Sequence, residues 1–270
     1  MRLAVSALLL LGLAACIDHP EAPVLPPGSD RLPPASSIPQ QQTEPAATAP
    51  STTPPAQKPK PALEVLAEVT YVLMKDWDGQ EFMCTGTLIA KDIVVTAAHC
   101  LNESQFASWE IVAPLAKDHP RVGASTPVRM TDDYDNPGEA DIGFLWLHEP
   151  IELPAYAELT DVTDRLGKGE KLEATAIVRT AEEHEAPFKS VDNLAVSSTT
   201  DRGYAHGIAT PYFSRIGDSG AGLFLVENGE VTHKLIGVAR QPESETNLDH
   251  FTRIDAAFLD WLDDHAAVGE

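Results

Sequence analysis

Basic residues are scarce in this chain of 270: 19 lysines and arginines stand against 41 aspartates and glutamates, a formal net charge of −22. Phosphate backbones are gripped by basic surface, so the composition excludes nucleic acid as a partner. Cysteine is also rare, with three in all. No Cys-x-x-Cys or His-x-x-x-His spacing accompanies them, which makes zinc the poorer use for them. There is no metalloprotease motif, no phosphate loop and no dinucleotide-binding loop, so no metal or cofactor is expected. Long apolar runs are missing too, apart from one at the start of the chain.

What is present divides into unlike parts. Met1-Arg2, the apolar run Leu3 to Ala15 and then Cys16 make a short basic start, a hydrophobic segment and a small-residue cleavage site. That pattern is an export signal, too short to span a bilayer as a mature helix. Leu13-Ala14-Ala15-Cys16 resembles the bacterial lipoprotein signal, which implies an acylated Cys16 as the first mature residue and anchorage in a membrane. Ile17, and not aspartate, follows it; in that family this favours the outer membrane, with the protein on its periplasmic or extracellular face. Residues 17 to 62 are rich in proline among Ala, Ser, Thr and Gln. Such a segment cannot bury enough apolar surface to offset its ordering entropy, and it reads as a semi-rigid, disordered tether. Up to Ala62 the acids Asp18, Glu21, Asp30 and Glu44 cancel the bases Arg2, Arg31, Lys58 and Lys60. The whole net charge therefore sits on residues 63–270. With Cys16 assigned to the signal, Cys84 and Cys100 remain as a pair in an exported chain, which predicts a disulfide.

From residue 63 onward the sequence consists of short apolar runs separated by turns. Six strands are predicted at 65–75, 81–90, 93–97, 109–114, 126–130 and 142–147. After a connector at 152–169, six more follow at 171–180, 190–197, 204–210, 222–226, 231–239 and 250–254. Asn228-Gly229 is a strong hairpin signal. Residues 255–266 place apolar side chains at 256, 258, 259 and 262, an amphipathic helix.

One stretch carries chemistry. In Gly217-Asp218-Ser219-Gly220, a serine lies between glycines that let the backbone turn, so that the N–H groups of Gly217 and Ser219 converge on one point. Gly220 would leave room for a histidine ring. A serine hydroxyl needs a base for its proton and donors for the oxyanion its attack creates. Candidates lie upstream: His99 in Thr96-Ala97-Ala98-His99-Cys100, just past a buried strand, and Asp141 at the start of Asp141-Ile142-Gly143-Phe144-Leu145.

These three motifs, in this order, resemble the trypsin/chymotrypsin-like serine proteases over about residues 65 to 264. The order discriminates, because unrelated folds string the same triad differently along the chain. The resemblance implies an all-β fold of two packed six-stranded antiparallel β-barrels with a short C-terminal α-helix. It also implies a serine endopeptidase acting on protein or peptide substrates through an acyl-enzyme. Ser219 would be the nucleophile, His99 the base and Asp141 its orienting acid, with an oxyanion hole at Gly217 and Ser219. The Cys84 to Cys100 bridge would staple the histidine loop to the preceding strand. In the family's substrate pocket Phe213 falls on the floor and Asp249 and His250 on the opposing wall. Asp249 there favours basic side chains, His250 acidic ones and a pocket filled by Phe213 small ones.

The chain also departs from the family. The Ile-Val-Gly-Gly-like start whose amino group pairs with the acid beside the serine is missing, so Asp218 needs another cation, and Arg179 and Arg215 are the candidates. Arg240 stands where relatives carry a serine supporting the triad aspartate. The second disulfide, around the specificity pocket, is absent. A catalytically inactive binding protein of the cell envelope on the same fold is the alternative reading. The acidic run Asp132-Asp133-Tyr134-Asp135-Asn136 has the oxygen ligands calcium uses, but reads first as a solvated turn.

Overall fold

Side chains along β1 (Val69–Asp76) divide between two cores. Successive strand residues point to opposite faces. Val72 and Met74 join Leu88, Val94, Ile111 and Leu145 inside one sheet, whereas Tyr71 and Leu73 join Phe224, Leu235, Ile254 and Phe258 in a cluster shared with a second sheet. Because both faces are covered, the strand reads as a continuous apolar run and not as an alternation. The computed structural model describes residues 60–125, 127–181, 185–240 and 247–266. The expected signal, Cys16 and the tether up to residue 59 lie outside the described residues.

The first sheet runs β5-β4-β1-β2-β3-β7-β6, where β2 is Glu81–Ala90, β3 Ile93–Thr96, β4 Phe106–Val112, β5 Arg121–Ala124, β6 Val128–Arg129 and β7 Gly143–Trp146. A bridge between Ala124 and Leu147 brings its β5 edge back to the end of β7 and curls it towards closure. The second sheet runs β12-β9-β10-β11-β14-β13-β8. Here β8 is Glu158–Leu159, β9 Leu172–Arg179, β10 Phe188–Ser198, β11 Gly207–Pro211, β12 Gly222–Glu227, β13 Glu230–Ala239 and β14 Leu248–Arg253. Pairing of β12 with β13 closes six antiparallel strands into a ring, and β8 adds to β13 in parallel. Inside that ring Ala174, Ala176, Val178, Ile208, Leu223, Ile236 and Phe251 make a third core.

The expected pair of antiparallel barrels is therefore found, with differences at the edges. β5 and β8 arise where no strand was expected: they are four and two residues long, and Val122 alone among their six residues is buried. Edge strands this short owe their pairing to the neighbour and leave no periodic signal. The strand expected from Val65 begins at Val69, because Ala62–Val65 (α1) is a helical turn whose Ala62 joins the shared core with Leu66. The strand expected at 204–210 begins at Gly207, since Gly207 N–H bonds the Tyr204 carbonyl at 3.0 Å and turns the chain. The connector carries Thr163–Gly167 (α2). Asn228 and Gly229 both have positive φ, 54° and 78°, as a type I′ hairpin requires. Cys84 and Cys100 are joined. Closing this loop contributes about 3 kcal/mol in the chain-entropy picture.

The C-terminal helix, Ala256–Ala266 (α3), buries Phe258 and Leu262. Asp255 caps it: one carboxylate oxygen accepts the Phe258 N–H at 3.1 Å, and the other meets His206 Nδ1 at 2.8 Å and Arg253 at 3.3 Å. Burial pushes this carboxyl up, but the His206 bond, the helix N–H and the Arg253 charge outweigh it, so its pKa lies below the ordinary 3.8. A carboxylate with a depressed native pKa stabilises fully above its unfolded value and loses that contribution as the pH falls through the native one. Asp255→Ala is expected to cost about 1–2 kcal/mol in denaturant unfolding near neutrality. The wild-type and variant curves should stay separated down to about pH 4 and draw together below it, as the pH falls through the depressed native value. Curves that stay equally separated down to the acid end would contradict this role.

Candidate active site

β3 ends at Thr96, and the chain then folds into a 3₁₀ turn, Ala98–Leu101, with Cys100 N–H bonded to the Ala97 carbonyl at 3.1 Å. Ala98, Cys100 and Leu101 are buried, and the disulfide ties Cys100 to β2. His99 is thereby left at the surface of the turn with its imidazole partly exposed. Asp141, buried ahead of β7, meets it twice: Oδ1 accepts the His99 backbone N–H at 3.0 Å, and Oδ2 lies 2.8 Å from Nδ1. An ionised carboxylate only accepts, so Nδ1 carries the hydrogen and Nε2 is left as an acceptor.

The serine turn is fixed from both sheets. Gly217 and Gly220 have φ of +89° and +83°, where L side chains are strained. A Cβ on Gly217 would lie 1.8 Å from the Arg179 guanidinium; on Gly220 it would lie 1.9 Å from the Thr85 carbonyl and 2.2 Å from the Thr96 hydroxyl. The crowding at Gly220 thus comes from β2 and β3, and not from a histidine ring as the sequence suggested. Thr85 N–H donates to the Ser219 carbonyl at 2.7 Å, and Thr85 Oγ1 to that of Gly217 at 3.3 Å. Within the turn the N–H groups alternate. Those of Asp218 and Gly220 are used, on Arg215 and Ala239 at 3.0 and 2.8 Å. Those of Gly217 and Ser219 donate to no protein acceptor among the described residues. Two idle amides flanking one aspartate are what an oxyanion needs.

Asp218 is the acid that shapes this turn. Burial pushes its carboxyl up, against the backbone N–H groups of Arg179 and Arg215, each 3.0 Å away, and the Arg179 charge. Of the two candidate cations, Arg179 forms the ion pair, with Nε 3.8 Å from Oδ1, and it also bonds the Ile216 carbonyl. The Arg215 guanidinium turns instead to the Thr180 carbonyl at 3.2 Å.

Ser219 and His99 line one cavity of about 700 Å³, with Met74, Phe82, Phe106, Tyr134 and Ile216 around them. Among the described residues no hydrogen bond joins the Ser219 hydroxyl to the imidazole; a bond of this kind can tighten as substrate binds. The apolar lining escaped the sequence reading, although Ile216, an apolar residue 79% exposed beside Gly217, is its one local sign. Phe213, Asp249 and His250 are not brought to this cavity. Asp249 instead holds the segment before the turn: its oxygens accept the N–H groups of Phe213 and Ser214 at 2.6 and 2.8 Å and the Ser214 hydroxyl. His250 is buried and stacks on Tyr204 at 4.4 Å. That carboxylate is engaged inside the protein, and a basic preference cannot be drawn from it. In the acidic run, Asp132 pairs with Arg129 at 2.7 Å and Asn136 bonds Asp133 at 3.3 Å.

The family described as Trypsin matches residues 68–262 of this chain. Among solved structures the chain is similar to HL collagenase, with 16% identity over 77% of this chain and 96% of that one and a TM-score of 0.61. It is similar to GrC, with 17% identity, 76% and 96% covered and a TM-score of 0.59. A third is the scabies mite inactivated protease paralogue S-I1, with 18% identity, 76% and 96% covered and a TM-score of 0.56. At these identities the likeness is one of fold.

Removing one partner of a buried ion pair leaves an uncompensated charge. Arg179→Met is expected to lower the unfolding free energy by about 3 kcal/mol or more in urea titrations. A loss below about 1 kcal/mol would show that the two backbone N–H groups satisfy Asp218 unaided.

Proposed function

The chain belongs to the trypsin family, and from that premise we propose that it is a serine endopeptidase working through Ser219, His99 and Asp141. The observation that carries this reading is the pair of N–H groups at Gly217 and Ser219, unused among the described residues, on a cavity that His99 lines while Asp141 holds its Nδ1 from behind. The Ser219 hydroxyl attacks a peptide carbonyl carbon while its proton passes to His99 Nε2. Asp141 holds the imidazole tautomer and stabilises the imidazolium. The carbonyl electrons move onto oxygen, and the two amide N–H groups donate hydrogen bonds to the resulting oxyanion; each such donor is worth about 3 kcal/mol of barrier. His99 then gives its proton to the leaving nitrogen, the C–N bond breaks and an acyl-enzyme remains. Water, deprotonated by the same imidazole, releases the acid and restores the serine. Peptides and proteins are the substrate class, and Met74, Phe82, Phe106 and Ile216, set among Glu81, Asp135 and Arg179 in the same lining, offer an apolar surface to a substrate side chain beside the scissile bond.

The inactive alternative would call for a substituted or obstructed site. Nothing of that kind is seen among the described residues: the three side chains are retained, and Ser219 and His99 both open onto the cavity. We propose further that the chain is exported and anchored through an acylated Cys16, a reading supported by Leu13-Ala14-Ala15-Cys16 alone.

Hydrolysis of a peptide substrate by the wild type, with kcat/KM falling by about 10⁴-fold or more in Ser219→Ala and in Asp141→Asn, is the expected result. Turnover that survives Ser219→Ala would end the serine mechanism. For the anchor, metabolic palmitate should label the full-length protein and not Cys16→Ser; equal labelling of both would remove it.

A further inference from the structure

Arg240 follows β13 directly, and its backbone N–H bonds the His250 carbonyl at 2.9 Å. Its side chain is 8% exposed, a costly place for a cation that lacks partners. The partners are backbone carbonyls of a single segment: Nη1 donates to Glu139 at 2.8 Å, and Nη2 to Tyr134 at 2.8 Å and Asn136 at 3.4 Å. Behind the guanidinium lies the ring of Tyr204, 5.6 Å away, itself stacked on His250. A planar fork of five donors can bridge three carbonyls at once, as a single ammonium cannot.

The segment so gripped is the approach to the catalytic pair. Its far end, Glu139, is two residues from Asp141. Its near end, Tyr134, has its ring 6.0 Å from the His99 ring and its hydroxyl bonded to Asn102 at 2.9 Å. Arg240 donates no hydrogen bond to the Asp141 carboxylate among the described residues; the bonds to that carboxylate come from His99. The serine that relatives carry at this position supports the aspartate directly, so Arg240 must act by another route. Its charge lies within reach of Asp141 and Asp135, both of which oppose the effect of burial on the guanidinium. Titratable groups facing it are Asp135 and Asp141, Tyr134 beside His99, and Tyr204 and His250 behind.

We propose that Arg240 is the positioning residue of the catalytic pair: it fixes the 134–139 segment that seats Asp141 against His99, and it places its charge beside that pair. The proposal rests on the serine-protease reading above. A nearby cation disfavours positive charge on the groups around it, so removing it is expected to shift the acid limb of the kcat/KM profile upward.

The test is that profile, measured with one peptide substrate for the wild type, Arg240→Lys and Arg240→Gln, each first checked for native near-ultraviolet circular dichroism. Arg240→Met, which keeps the apolar stem, replaces Arg240→Gln if the amide does not fold. Arg240→Lys keeps the charge and loses the fork; its acid limb should stay in place while kcat falls about 3- to 10-fold. The neutral variant should lose about 10- to 100-fold in kcat, and its limb should move up by about half a pH unit or more. KM should stay within about two-fold in both. An unmoved limb in the neutral variant, or one displaced equally in Arg240→Lys, overturns the proposal. Wild-type turnover that persists in Ser219→Ala would instead show that the underlying mechanism had failed.

Discussion

A carboxylate buried beside Ser219 sets the terms for the rest of the site. Asp218 has left water, and each of its oxygens must find a donor within the fold. Two backbone N–H groups and the Arg179 side chain answer that demand. In doing so they bend residues 215–219 into a turn that no chain of L residues with side chains at 217 and 220 would follow. The idle amides of Gly217 and Ser219 are a consequence of that bend. In the resembled family an amino terminus supplies the positive charge; here it comes from the end of a strand inside the domain. The two amides proposed to hold the oxyanion are therefore held by β9, one of the better buried strands of the second sheet.

The first sheet contributes the other half. His99 and Asp141 lie at the ends of β3 and β7, neighbours in the sheet whose register, Thr96 opposite Gly143, brings the two side chains together. A Cβ on Gly143 would lie 2.5 Å from the Val128 carbonyl, so only glycine lets β6 pack so closely beside the acid. Between the sheets, Tyr71, Leu73, Phe224, Leu235, Ile254 and Phe258 form one continuous cluster. Each such side chain is worth about 1.5–3 kcal/mol when buried, so the cluster holds the two halves of the site in one relation. Thr85 completes the link, using its N–H and its hydroxyl on the serine turn. The proposed catalytic groups, far apart in sequence, are thus positioned by packing and not by their own loops.

Much of this was legible beforehand, for reasons that can be named. β2 occupies Glu81–Ala90, the span expected, because turn residues bound it on both sides. The His99, Asp141 and Ser219 motifs stand at strand ends and turns, where composition is most constrained. Other features were hidden. Arg179 and Arg215 looked equivalent as partners for Asp218, and only the direction in which β9 ends decides between them. Asp249 looked free to meet substrate, yet the turn at 213–214 folds back onto it; a sequence records the acid and not the amides aimed at it. Ile216, in the turn between β11 and β12, and Phe82, on β2, line the same cavity, a meeting that no local pattern announces.

The central claim is that Ser219 is made nucleophilic by His99 within this cavity, and a mechanism-based phosphonylating reagent tests it most directly. Intact-mass measurement followed by peptide mapping of the fluorophosphonate-treated protein should show one adduct, on the peptide containing Ser219. It should form slower by orders of magnitude in His99→Ala. An adduct elsewhere, none on the folded wild type, or an equal rate without the imidazole would contradict the account.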